Sequence, residues 1–187
     1  MKKLLAVATF FILISCSHQN QKVSFNLSFN DNKLSVENGS GINIAVIDDR
    51  LEKKILGTKE FCNDDKITIS SDENLTELLQ QKISENLAQK GFKKGRDKVL
   101  AIHLSNLQYS AKCGLIIGKS NADIAIKVVI TDYKSGSEIT KNFDLSLNSK
   151  HLFRPLESTD SQTINNLLQE MVSDILKDEA LLKNLSQ

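Results

Sequence analysis

The 187-residue chain contains no tryptophan, one proline and eight glycines. That excludes collagen-like and proline-rich low-complexity chains. Charge of one sign is missing too: 24 Lys and Arg face 23 Asp and Glu, a formal net charge of +1. Without a basic excess there is no footprint for nucleic acid, and no acidic tail is present. Three histidines, His18, His103 and His151, stand far apart with no His-x-x-x-His spacing. A zinc centre or a nucleophilic triad gains no support from them. Neither GxxxxGK[ST] nor GxGxxG occurs, so Gly91, Gly95, Gly114 and Gly118 build no phosphate loop. The sequence therefore predicts a non-enzyme with no cofactor and no metal.

A run long enough to span a bilayer as a helix, about 20 apolar residues, is absent as well. What stands at the N-terminus is shorter. Met1-Lys2-Lys3 is a basic n-region, Leu4 to Ile14 is an apolar h-region, and Leu13-Ile14-Ser15-Cys16 has the form of a lipobox. Residues 1–15 then read as a lipoprotein signal peptide cut between Ser15 and Cys16, with lipid on the Cys16 thiol. One acyl chain holds a protein to a membrane only marginally, whereas several hold it firmly. Ser17 after the lipidated cysteine favours the outer membrane of a Gram-negative host, with the chain on its periplasmic face. Loss of Lys2 and Lys3 with the leader leaves a chain that charge alone does not bind to a membrane. Residues 16–22 read as the lipidated cysteine and a short polar tether.

Residues 23–187 read as a single periplasmic α+β domain. Val23, Phe25, Leu27 and Phe29 alternate with polar residues, which predicts a strand. Gly41 to Asp49 carries apolar residues on both faces, as in a strand inside a sheet. After a short candidate strand at Ile67-Thr68-Ile69, Leu75, Leu78, Leu79, Ile83 and Leu87 form a helical stripe. Ser70 with Glu73, or Ser71 or Asp72, are its candidate caps, and Gly91 its stop. Lys98 to Tyr109 predicts a strand whose parity changes near Asn106. Asn121 to Tyr133 and Glu138 to Ser149 predict two more, joined by a turn at Lys134-Ser135-Gly136-Ser137. A second helix is expected from Thr159, and a last turn or short helix from Asp178. The expectation is a two-layer α+β fold, a mainly antiparallel sheet packed against two amphipathic helices.

Several residues are candidates for function. Cys62 and Cys113 lie in no CxxC pattern and, in an oxidising compartment, form a disulfide or remain two separate thiols. Asp49 and Arg50 close a strand, and Asp123 interrupts an apolar one; these three are candidate recognition residues. Gly114 to Gly118 brackets the apolar Leu115-Ile116-Ile117, read as core, hairpin or an exposed partner-binding patch.

Together these pieces resemble the YajG family of small outer-membrane lipoproteins. The likeness runs through Asp72-Glu73-Asn74-Leu75 to Lys90-Gly91-Phe92, then Leu104 to Tyr109, Lys119 to Ile126 and Ile139 to Phe143. It ends in a helix with Asn165 and Asp174 and the stretch Asp178 to Leu185. Residues 70–185 carry it well and 22–69 more loosely. The resemblance implies a lipid-anchored periplasmic domain and brings no activity. The functional expectation is a non-catalytic binding or accessory module with an envelope protein partner. The alternative is an envelope hydrolase or a binder of small ligands, lipid or glycan.

Overall fold

The computed structural model describes residues 20–29, 40–152 and 155–186. The leader, the cleavage pair Ser15 and Cys16, and most of the tether lie outside the described residues. Three long strands form the middle of the fold: β6 (Lys98–Lys112), β7 (Ile117–Asp132) and β8 (Glu138–Leu152). They pair antiparallel in sequence order, β6 with β7 and β7 with β8. The parity change near Asn106 is a bulge in β6, where the register shifts between Leu104 and Asn106. One extra residue moves every later side chain to the other face.

The other edge of β6 is shared. Strand β2 (Gly41–Asp48) runs parallel to its first half, from Ile42 opposite Lys98 to Asp48 opposite Leu104. Strand β3 (Ile55–Glu60) runs parallel to its last residues, from Gly57 opposite Tyr109 to Glu60 opposite Lys112. A Cβ at Gly57 would stand 1.9 Å from the Tyr109 carbonyl oxygen, so only glycine lets the two backbones approach there. Beyond β3 lie β4 (Lys66–Ser70), antiparallel to it, and the two-residue β1 (Gln21–Lys22), parallel to β4. The two-residue β5 (Lys93–Lys94) flanks β2. The sheet is therefore mixed: its longest ladders are antiparallel, and β2 and β3 join β6 in parallel. A parallel pair needs a crossover connection, and α1 (Leu75–Gln89) lies on the path from β2 to β6.

Among the described residues three helices rather than two pack on one face: α1, α2 (Glu157–Lys177) and α3 (Glu179–Ser186). Leu79 and Ile83 of α1, Ile164 and Met171 of α2, and Leu182 and Leu185 of α3 meet Leu100, Ile102, Ile124 and Ile126 of the sheet in one core. The cap of α1 is Asn74, whose side chain accepts from the Glu77 amide, while Ser70 ends β4 instead. At its C-terminus the Gly91 N–H donates to Ala88 and the Phe92 N–H to Leu87, with Gly91 at φ 96° and Phe92 buried. That is the glycine stop the sequence predicts.

Residues 23–29 correct the sequence reading. Val23 and Leu27 are buried as the alternation requires, but after the Val23 N–H, which donates to the Ser70 carbonyl, residues 24–29 have no strand partner among the described residues. Side chains serve it instead. The Asn165 Oδ1 of α2 accepts from the Asn26 N–H at 2.7 Å, and its Nδ2 donates to the Ser24 carbonyl at 3.1 Å. Glu73 accepts from the Phe25 N–H. One amide side chain thus replaces a stretch of neighbouring strand.

Candidate functional site

All three helices cover the same face of the sheet, so the opposite face is open among the described residues. Register across the strands gives its rows. Thr58, Ser110, Asn121 and Asn148 stand side by side, next to a row of Gln108, Asp123 and Ser146. Asn106, Ala125 and Asp144 follow, and then Ile47, His103, Lys127 and Asn142. These side chains alternate with the buried set along each strand and are half-buried or exposed. The result is a flat surface of amides, hydroxyls and a few charges, about four strands wide. Flanking it, β8 pairs only with β7 among the described residues, which leaves one edge of a 15-residue strand unpaired there.

Asp123 lies in the middle of this face. Its carboxylate accepts from Asn121 Nδ2 and from Ser146 Oγ across the strand pair, both at 2.5 Å. Two donors fix its orientation, so it is a preset acceptor on the open face. Asp49 stands at the other end, 3.0 Å from His103 Nδ1 and half-exposed. Arg50 has turned away from solvent. Its guanidinium grips both Asp48 oxygens, at 2.9 and 2.7 Å, and donates to the Ile55 and Lys53 carbonyls. Burial opposes ionisation of Asp48, but the Arg50 hydrogen bonds and charge outweigh it and hold the carboxyl below the usual range. Arg50 is a clasp for the turn from β2 to β3. A cleft of about 510 Å³ next to it is lined by Val46, Asp48, Lys53, Lys54, Asp72 and Glu73. Neither His103 nor His151 lines it.

Cys62 and Cys113 form a disulfide with Cα atoms 5.1 Å apart. It ties the β3–β4 loop to the end of β6. Among the described residues no cluster of three or more His, Cys, Asp or Glu is placed to hold a metal ion. No described helix is long and apolar enough to cross a membrane.

A buried polar chain escapes sequence reading entirely. Asp160 of α2, 0% exposed, accepts from Lys59 Nζ and Tyr109 Oη, both at 2.5 Å. Burial first, then the Asp160 hydrogen bond and charge, push the Tyr109 hydroxyl far above its ordinary pKa. On the far side Ser120 Oγ lies 2.9 Å from His151 Nε2. Ser120 is buried under the helices, so this serine–histidine contact belongs to the interior and not to a cleft.

Comparison with known proteins places the chain. A family model described as uncharacterized lipoprotein (Lipoprotein_16) matches residues 27–186, and the chain belongs to that family. The family is one of lipoproteins, which suggests membrane attachment through a lipid anchor. No curated protein matches the sequence. Among solved structures, protein XCC0632 from Xanthomonas campestris, of the DUF330 family, aligns over 89% of this chain and 97% of its own at 8% identity, with a TM-score of 0.61. A second uncharacterized protein aligns over 86% and 99% at 11% identity, with a TM-score of 0.55. At such identities the likeness is one of fold.

Proposed function

We propose that this chain is a non-catalytic binding module of the cell envelope, held by lipid on Cys16 to the periplasmic face of the outer membrane as in the YajG-like lipoproteins. The observation that carries the reading is the uncovered sheet face bounded by the free edge of β8. A long unpaired edge offers a row of N–H and C=O groups to another chain, and natural proteins seldom leave one bare. The polar rows beside it, with Asp123 preset as an acceptor, would select the partner's side chains after its backbone has paired. An envelope protein that adds an extended segment to β8 fits both features.

The test is photo-crosslinking in intact envelopes from positions 146 and 148 of β8, with position 169 on α2 as the control. Recovered adducts are identified by mass spectrometry and compared with a Cys16→Ala chain. One reproducible envelope protein, captured from β8 but not from α2 and lost with the anchor, is the expected result. Equal capture from both faces, or none, would contradict the reading and turn attention to small ligands and glycans.

A further inference from the structure

Leu51 in the β2–β3 turn aside, the most exposed aliphatic side chains among the described residues lie beyond the end of the polar face. Between β6 and β7 the hairpin tip carries Leu115, Ile116 and Ile117, exposed by 95%, 69% and 52%. Leu152 stands opposite Ile117 in the β7–β8 register and is exposed, as is Leu156 just before α2. Contiguous exposed aliphatic side chains of this kind mark a contact surface rather than a solvated loop. The tip is also braced. The Cys113 N–H donates to the Glu60 carbonyl, and the disulfide to Cys62 ties the base of the hairpin to the β3–β4 loop.

Behind the tip the open face changes character in order. The first row back is Lys112, Lys119 and Lys150, side by side across three strands. Like charges directly opposite one another destabilise a sheet. Glu60 reaches Lys112 at 3.7 Å, while Lys119 and Lys150 have no ion-pair partner among the described residues. The next row is amides and hydroxyls: Thr58, Ser110, Asn121 and Asn148. Apolar, then cationic, then neutral polar is the sequence of layers a protein meets on leaving a phospholipid bilayer, from acyl chains to phosphates to water.

The described N-terminal chain begins toward the same end. Gln21 opposes Ile69, which opposes Gly57, which opposes Tyr109, so Gln21 stands level with Tyr109. Because β1 runs parallel to β4, the chain traced back from Gln21 heads past Thr68, where Asn20 accepts from its N–H, toward the lysine row. The Gln21 side chain also donates to the Glu157 carbonyl, next to Leu156. Five residues from Cys16 to Gln21 span at most about 17 Å. β6 continues three residues past Tyr109 to Lys112, about 10 Å at strand rise, and the turn that carries the tip lies beyond that. With the strands steep to the membrane, a tether that short brings the tip to the bilayer.

We infer that the β6–β7 tip is a membrane-contact site: Leu115, Ile116, Ile117 and Leu152 enter the bilayer that holds the anchor, and Lys119 and Lys150 bind its phosphates. This rests on the anchor at Cys16 proposed above. The domain then stands with its strands steep to the membrane and its polar face turned sideways.

Because the chain has no tryptophan, one introduced residue reports alone. The intact lipidated protein carrying Leu115→Trp is reconstituted in phospholipid vesicles, with and without brominated acyl chains. Tyr133→Trp, at the opposite end of β7 in an exposed position, is the control. Lipidation of each sample is established beforehand by intact mass, so that a missing anchor is seen separately from a dry tip. The expected result is blue-shifted emission at position 115 that brominated lipid quenches, unquenched emission at position 133, and weaker quenching at 115 when Lys119→Glu and Lys150→Glu are added. Unquenched emission at 115 in lipidated protein overturns the inference. Blue-shifted but unquenched emission that grows with protein density also overturns it, in favour of a second copy of the chain.

Discussion

Asp160 is the residue on which the interior is most exposed to damage. It is fully buried against an ammonium and a phenol, and both depend on its charge. Asp160→Asn leaves Lys59 without a counter-charge, and the expected loss is about 3–5 kcal/mol by urea unfolding. The Lys59→Met, Tyr109→Phe, Asp160→Leu triple variant should recover most of it, because apolar replacement of all three partners leaves no orphaned polar group. At Asp48 the effect is one of pH. Its folded carboxyl titrates below the usual 3.8, so the Arg50 clasp contributes fully above that value and is lost as pH falls through the folded pKa. Stability against urea should drop on acidification below about pH 4, and Asp48→Asn should lie lower at neutral pH and flatten that limb. The sequence marks Asp49, Arg50 and Asp123 as polar residues at strand boundaries or on apolar strands. It does not mark Asp160, which sits in a polar run among possible helix caps. A carboxylate's value depends on which distant strand packs over it, and local spacing carries no trace of that.

Among elements, the segment 23–29 shows what periodicity can and cannot say. Alternation reports which side chains are buried, and Val23 and Leu27 are. It does not report what bonds the backbone, and here Asn165 does so from a helix. Asn165→Ala should cost about 1–2 kcal/mol and accelerate hydrogen exchange at the Asn26 amide, with α1 amides unchanged. Helices α1 and α2, the long strands, the bulge in β6 and the glycine stop were all legible, since each follows from local pattern or backbone sterics. The β3 strand was not, because Leu56-Gly57-Thr58-Lys59 puts a glycine and a lysine where apolar residues would signal it. Parallel pairing of β2 with β6 left one sign in the sequence: a helix between two strands. The third helix is short and separated from the second by Asp178, which caps it through the Leu181 N–H.

For the whole molecule, the ends of the sheet differ in kind. One end carries the β7–β8 turn. The other gathers the disulfide, the apolar tip, the lysine row and the departing N-terminal chain. The Cys62–Cys113 link closes a loop of 51 residues, for which chain entropy predicts about 4 kcal/mol. The Cys62→Ser, Cys113→Ser pair should lose stability on that order, and a non-reducing peptide map should show the linked fragments in the parent. The open face as a whole was not legible, because it depends on strand order, although each strand's outward residues were.

Everything proposed about orientation depends on lipid at Cys16. The most direct measurement is mass spectrometry of the N-terminal peptide of the chain purified from membranes. The account predicts a peptide that begins at Cys16 and carries a thioether-linked diacylglyceryl group with an acylated amino terminus. A chain that retains Met1 to Ser15, or begins elsewhere with an unmodified Cys16, would contradict it.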